Sequence, residues 1–133
     1  MISAQLRKRT NERIVDACVQ LAADRQYHGV TMAALCRASG VSERRVRDAF
    51  DECFGVSPMS YLRAAALRDV QRSLVERPFG RDAVTRAASD FGFTHLSRFA
   101  GHYRELFGES PRETVSRARR FQSIENQART WAS

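Results

Sequence analysis

The sequence predicts an all-α protein of about seven helices, in which two similar helical subdomains are joined by a long helix. Two observations predict this fold. Apolar residues recur at spacings of three and four through most of the chain, which is the period of a helix with one buried face. A pattern of glycine turn followed by helix also occurs twice, about fifty residues apart, and the stretch between the copies is helical in pattern.

The later copy, residues 92–111, is the more specific of the two. Gly92 and Phe93 predict a tight turn, and Thr94 is the expected N-cap of the helix that follows. One face of that helix is apolar, and it is formed by Phe99, Tyr103, Leu106 and Phe107. Gly108 is expected to end the helix.

The segments on either side complete a recognisable motif. Ser110 and Pro111 are expected to begin another helix, and Glu113 lies at capping-box spacing from Ser110. A short helix is predicted upstream, from about Asp82 to Phe91. A short helix, a tight glycine turn and a second helix with a polar outer face are typical of a helix-turn-helix, whose second helix enters the major groove of DNA.

The earlier copy repeats this pattern. Gly40 stands where Gly92 stands, with an offset of 52 residues, whereas the helix positions after the turn are offset by 53. The later copy therefore carries one extra residue. The matching apolar pairs are Val46 and Phe99, Phe50 and Tyr103, and Phe54 and Phe107. The sequence thus predicts two helix-turn-helix subdomains from a tandem duplication.

Five segments follow from this pattern, and each is predicted with its bounds. They are a polar arm or linker end (1–10), a first helix-turn-helix subdomain (11–57), a linker helix (58–77), a second helix-turn-helix subdomain (78–121) and a tail (122–133). In the first subdomain Thr31 and Ser42 are the expected N-caps of its second and third helices. The arm carries Arg7, Lys8 and Arg9 and is open between a disordered arm, the end of an interdomain linker and a phosphate-contacting patch, of which a solvated arm is favoured. The tail is open between a frayed helix and part of a partner contact.

The linker helix has a length that matters for binding. Its ~20 residues would span ~30 Å at the standard helical rise. One turn of B-DNA is ~34 Å, so a helix of this length can set two recognition helices in successive major grooves. Its apolar stripe is predicted to consist of Leu62, Leu67, Val70 and Leu74.

The chain resembles the DNA-binding domain of the AraC/XylS family of bacterial transcription regulators, from about Ile14 to Val115. The wording of residues 95–100 together with 107–109 is similar to the ethanolamine-regulator branch. The resemblance implies a sequence-specific DNA-binding transcription regulator, or its DNA-binding half, cytoplasmic and associated with the nucleoid. It implies double-stranded DNA as the partner, with RNA polymerase as a second candidate. Most members carry an N-terminal domain that binds an effector or dimerises, so a monomer and a dimer formed through such a domain both stay open.

Composition agrees with an anionic partner. The formal net charge is +7 and the pI about 10.3, and Lys8 is the only lysine. Codon bias is an alternative explanation of the arginine count. Cys18, Cys36 and Cys53 are widely spaced, which fits a reducing cytoplasm, and Cys18 and Cys53 are expected in the core. Neither a signal peptide nor an apolar run of membrane-spanning length occurs, so no membrane partner is expected.

The first recognition helix is predicted to read bases. Its outer face carries Arg44, Arg47, Asp48 and Asp51. An arginine fork reaches O6 and N7 of guanine together, which makes arginine the best guanine reader. Asp48 is open between accepting a hydrogen bond from cytosine and holding Arg44 or Arg45 in place. Four residues are therefore predicted to bind DNA here: Arg44, Arg45, Arg47 and Asp48.

The second recognition helix differs in chemistry. The resemblance places Leu96, Ser97, Ala100 and Gly101 toward the groove. Three flanking residues are predicted to reach phosphates: His95, Arg98 and Arg104. Gly101 in mid-helix costs roughly 1 kcal/mol relative to alanine. Gly101 either lets the backbone approach DNA or has no role.

Catalysis and protein interaction are the two other classes of function that the sequence bears on. No glycine-rich phosphate loop, metal-ligand cluster or placed nucleophile can be assembled, so we expect no enzyme, no cofactor and no metal. The alternative is a protein-interaction module that recruits RNA polymerase or a partner and binds DNA weakly. Residues 11–50 alone also resemble the DNA-binding end of TetR-type repressors, but that family has no second helix-turn-helix.

Overall fold

The computed structural model describes residues 3–132, and these residues form α-helices and no strand. The seven helices are α1 (Ala4–Asp24), α2 (Met32–Ser39), α3 (Glu43–Phe54), α4 (Pro58–Glu76), α5 (Ala83–Asp90), α6 (Leu96–Phe107) and α7 (Pro111–Ala132). The predicted all-α class is confirmed. The chain divides into two compact units, one up to Ala66 and one from Leu67, so the boundary falls inside α4.

The first unit packs α1, α2 and α3 around one apolar core. Its buried residues are Ile14, Val15, Cys18, Ala22, Leu35, Val46, Ala49, Phe50 and Leu62. The predicted caps are confirmed, because Thr31 accepts a hydrogen bond from the Ala34 amide and Ser42 accepts one from the Arg45 amide. Gly40 ends α2 at φ 73°, a left-handed conformation that glycine adopts without steric cost.

Residues 4–9 are exposed, as expected of a solvated segment, but residues 4–10 form the first part of α1 and not a separate arm. The Ser3 hydroxyl caps this helix by accepting from the Leu6 amide at 3.1 Å. The Arg7 guanidinium then donates two hydrogen bonds to the Glu52 carboxylate of α3, at 2.6 and 2.9 Å. This contact joins residues 45 positions apart, so local pattern could not reveal it. Met1 and Ile2 lie outside the described residues.

Helix α4 agrees with the sequence prediction. It is a single helix of 19 residues that ends just before Pro78. All four predicted stripe residues are buried, with Leu62 in the core of the first unit and Leu67, Val70 and Leu74 in the core of the second.

The second unit has its own core, centred on two aromatic residues of α6. Phe99 and Tyr103 are almost fully buried, and the Tyr103 hydroxyl and the Thr114 hydroxyl of α7 are 2.7 Å apart. Burial raises the pKa of the Tyr103 phenol. Ser110 caps α7 as predicted, but the Glu113 side chain lies on Arg104 of α6, so the capping box is only half formed.

The turn before α6 corrects the predicted cap. Helix α6 begins at Leu96, and its N-cap is His95 rather than Thr94. Three residues, 93–95, separate Gly92 from α6, whereas two residues, 41–42, separate Gly40 from α3. The one-residue insertion therefore lies inside the turn and moves the helix start by one position. His95 makes no side-chain cap hydrogen bond.

Three other expectations fail near helix ends. Leu106 is 41% exposed, and Cys53 is also exposed, although both were predicted on inner faces. Both lie in the last turn of a recognition helix, where the helical period continues beyond the packed surface. Helix α7 runs on to Ala132, so the predicted boundary between Phe121 and the tail lies inside a continuous helix. Ser133 is outside the described residues.

The thiols of Cys18 and Cys53 should differ in their reactivity toward alkylating reagents. Burial raises the pKa of both thiols, that of Cys18 to about 11, but the Cys53 side chain is exposed to solvent whereas Cys18 is buried. We expect an alkylating reagent near pH 8 to modify Cys53 in the folded protein, and Cys18 only after unfolding, because the thiolate is the nucleophile. Peptide mapping of timed reactions measures this. A Cys53→Ser control should lose the modification at residue 53, and labelling of Cys18 in the folded chain would contradict the packing of α1.

Candidate nucleic-acid interface

The outer face of α3 is set by what its inner face buries. Val46, Ala49 and Phe50 are fully buried, so the opposite side of the helix points to solvent. Glu43, Arg44, Arg47 and Asp51 are exposed, and Asp48 is half-buried at the edge. The structure thus brings the predicted readers Arg44 and Arg47 onto one exposed face.

The two arginines on this face differ in their partners. The Arg47 guanidinium donates to the Glu43 carboxylate one turn earlier, at 2.8 and 3.3 Å. Arg44 makes no ion pair within residues 3–132 and is exposed. Both members of the Arg47–Glu43 pair are about half exposed, so the pair stabilises little and DNA can displace it. Sequence reasoning missed Glu43, although its four-residue spacing from Arg47 was a usable signal.

Arg45 was predicted to bind DNA, but its side chain is largely turned toward the protein and lies near Glu52. Its side chain is only 23% exposed, and its guanidinium lies 3.9 Å from the Glu52 carboxylate. The Glu52 carboxylate also accepts hydrogen bonds from Arg7, and these are the main cause of the lowered pKa of Glu52. Glu52 therefore binds Arg7 through two hydrogen bonds, whereas Arg45 lies beside it without a hydrogen bond.

Asp48 has two predicted roles, contact with cytosine and holding a neighbouring arginine. The alternative that it holds Arg44 or Arg45 finds no such contact among the described residues, and Arg45 lies 3.9 Å from Glu52 instead. Contact of the half-buried Asp48 carboxylate with cytosine stays a prediction.

Helix α6 presents a second exposed face of smaller side chains. Every predicted groove residue is exposed, namely Leu96, Ser97, Ala100 and Gly101. Leu96 and Ala100 also line a cavity of about 540 Å³ beside the first turns of α5 and α7. Apart from the Ser97 hydroxyl, this face offers no side-chain hydrogen-bonding group at the four positions.

The charged residues that flank α6 are not equivalent. Arg98 is exposed and has no ion pair within the part of the chain described. Arg104 donates to Glu113 at 3.3 Å, in a pair whose members are both about 60% exposed. His95 is exposed at the N-cap. Arg98 is therefore the cation most readily available to a phosphate beside α6.

Gly101 has room for a side chain. A Cβ built at this position would meet nothing within 4 Å, and its φ is not positive. We expect Gly101→Ala to raise the free energy of unfolding by up to about 1 kcal/mol, because alanine is the better helix former. Urea denaturation monitored by circular dichroism measures the change.

Gly108 supplies a matched control for this substitution. It also has nothing within 4 Å, but its φ is 72°, so alanine there is strained. Gly108→Ala should therefore lower the free energy of unfolding. Equal effects of the two substitutions would contradict the assignment of α6 as a regular helix through Gly101.

Comparison with known proteins decides the family. The sequence model of a helix-turn-helix domain family matches residues 35–117, more than half of the chain. The crystal structure of a probable AraC family transcriptional regulator from Rhodopseudomonas palustris CGA009 is similar, with a TM-score of 0.69 and 31% sequence identity over 79% of this chain and 96% of that one. The chain belongs to the AraC/XylS family.

Curated relatives agree with this assignment. The chain is 33% identical over 98 residues to XylDLEGF operon transcriptional activator 2 of Pseudomonas putida, covering 74% of this chain and 62% of that protein. It is 34% identical over 86 residues to the probable thc operon regulatory protein of Rhodococcus erythropolis, covering 65% of this chain and 26% of that protein. The chain thus spans less than two thirds of the length of either relative. The narrower resemblance to the ethanolamine-regulator branch stays a prediction.

The family is one of DNA-binding transcription regulators and not of enzymes. Among residues 3–132 no group of histidine, cysteine and acidic side chains is arranged to hold a metal ion. No described helix has both the length and the apolar character needed to cross a membrane.

Proposed function

We propose that this chain binds one asymmetric duplex site, with α3 in one major groove and α6 in the next. The observation that carries the proposal is that each helix buries one face in its own core and exposes the other. The two exposed faces also differ chemically, so the two half-sites would differ in sequence. A single 19-residue helix of ~28 Å joins the units, close to the ~34 Å turn of B-DNA.

Base specificity comes mainly from α3 in this proposal. Arg44 is exposed and has no ion pair among the described residues, and Arg47 needs only to leave an exposed pair with Glu43. Each can present a planar fork to guanine O6 and N7.

Helix α6 contributes shape and phosphate contacts. Leu96 can contact a thymine methyl group, and the short side chains at 97, 100 and 101 let the helix backbone come close to the base edges. Arg98 supplies a phosphate contact, and Arg104 a second one if it leaves Glu113. His95, at the N-cap of α6, would also contact the sugar-phosphate backbone of the DNA. The protein would act in the cytoplasm, at the nucleoid.

Selection from a random duplex library tests this proposal. The wild-type chain should enrich an asymmetric site with two preferred segments about one helical turn apart, the stronger one containing guanine. Arg44→Ala should relax preference at one base pair of that segment, whereas Arg98→Ala should leave the enriched sequence unchanged. Enrichment of a palindrome, or of a single short segment, would overturn the two-groove proposal.

A further inference from the structure

More than half of α7, from Arg120 to Ala132, extends beyond the core of its unit. The early part of the helix is anchored, with Pro111, Thr114, Val115 and Ala118 buried. Arg119 makes the next contact, donating to the carbonyl groups of Pro78 and Gly80 at 2.6 and 2.9 Å. From Arg120 to Ala132 every described residue except the half-buried Gln122 is exposed.

This exposed segment carries large apolar side chains. Phe121 is 67% exposed, Ile124 65% and Trp131 89%, which makes them the most exposed large apolar residues among those described. With Ala128 they follow the spacing three, four, three, which is that of the a and d positions of a coiled coil. Phe121 and Ala128 lie seven and fourteen residues after the buried Thr114 and continue the line of the buried face, whereas Ile124 lies six residues after Ala118, about 120° around the helix.

The charges beside the stripe are complementary to those of a second copy of the same helix. With Phe121 and Ala128 at a positions, Arg120 occupies a g position and Glu125 an e position. In a parallel pair of helices a g residue faces the e residue five positions later in the other chain, so Arg120 of each copy would meet Glu125 of the other. Arg120 is exposed and makes no ion pair within residues 3–132.

An antiparallel pair lacks this match. In an antiparallel pair, e positions of one chain face e positions of the other, and g positions face g positions. Glu125 would then face Glu125 or Ala132 of the other chain, and Arg120 would face Arg120 or Gln127. No opposite charges meet in that arrangement. Glu125 also accepts a hydrogen bond from Arg129 of its own helix at 3.1 Å, which supports helix formation in the free chain.

We propose that residues 120–132 of α7 are a self-association helix, which pairs in parallel with the same segment of a second copy. The stripe covers fewer than two heptads, and stable coiled coils need about three or four, so the association is weak in solution. Its use is to make binding to neighbouring duplex sites cooperative, because two chains bound nearby have a high effective concentration. The pairing does not depend on the proposed function and can be measured without DNA.

Sedimentation equilibrium and tryptophan fluorescence test the association. Trp131 is the only tryptophan, so its emission reports the a/d stripe directly. From roughly 10 µM to 1 mM the weight-average mass should rise toward that of a dimer, and Trp131 emission should shift to shorter wavelength in parallel. Ile124→Ser should abolish both changes. A chain that stays monomeric over this range, or that forms species larger than a dimer, would overturn the proposal.

Charge exchange tests the parallel register. Arg120→Glu and Glu125→Arg should each weaken association, because each creates like-charged pairs between the chains. An equimolar mixture of the two variants should restore it, since both interhelical pairs are then attractive. Ser123→Glu, which adds a carboxylate to the same helix outside the e and g positions, should have a smaller effect. A mixture that associates no better than the single variants would contradict the assigned register.

Discussion

Raising the salt concentration from about 50 to 200 mM should weaken binding to the best duplex by roughly 10³- to 10⁵-fold, if six to ten phosphates are neutralised. The reason is release of condensed counterions when arginines contact phosphates. Several arginines are already engaged within the protein, among them Arg7, Arg45 and Arg119. We therefore expect the lower end of this range.

Fluorescence anisotropy titrations at several salt concentrations measure this slope. A protein that binds DNA weakly and acts by recruiting RNA polymerase or another partner would give a nearly flat response. That outcome would contradict the account of α3 and α6 as DNA-reading helices. A matched titration with Arg98→Ala should give a slope shallower by about one unit, because one phosphate contact is lost.

Replacing Arg44 with alanine should cost about 1–3 kcal/mol on the best site and relax preference at one base pair. Arg44 is the exposed arginine of α3 that has no ion pair in the described chain, so its fork is free for a bidentate contact. Arg47→Ala should act in the same direction. Arg98 is the control, since it is also exposed and unpaired there, but its loss should weaken all sequences about equally.

A competing account gives the reading to α6 instead. In that account the backbone around Gly101 and the small side chains read DNA at close range. Gly101→Lys and Ser97→Ala would then rewrite the preferred sequence, while Arg47→Ala would leave it unchanged. Binding profiles of these variants on a randomised site separate the two accounts, and a shift confined to the half-site of α6 would contradict ours.

The features that sequence predicted correctly are set by neighbours within one helical turn. Thr31, Ser42 and Ser110 each cap the helix that follows them, because a hydroxyl at the N-cap reaches an amide three residues on. The apolar stripe of α4 was predicted equally well, from the helical spacing of its leucine and valine residues. Glu43 was readable in principle, since it lies one turn from Arg47.

The features that were missed depend on residues far apart in sequence, or on the length of a turn. Arg7 and Glu52 are 45 positions apart, so the first turns of α1 were taken for a solvated arm. The cap of α6 moved from Thr94 to His95 because alignment could place the inserted residue on either side of Thr94. The helical periodicity of apolar residues also could not show that the buried face of each helix ends before Cys53 and Leu106.

Methylation interference on the selected duplex tests the two-groove claim most directly. Methylation of guanine N7 blocks major-groove contacts, so interference marks where each recognition helix enters. One chain per duplex, with interference in two segments about 10 base pairs apart on one face of the DNA, is the predicted result. The stronger interference should lie in the segment that loses specificity in Arg44→Ala. Interference in a single groove, or two segments that appear only when two chains are bound, would contradict the account.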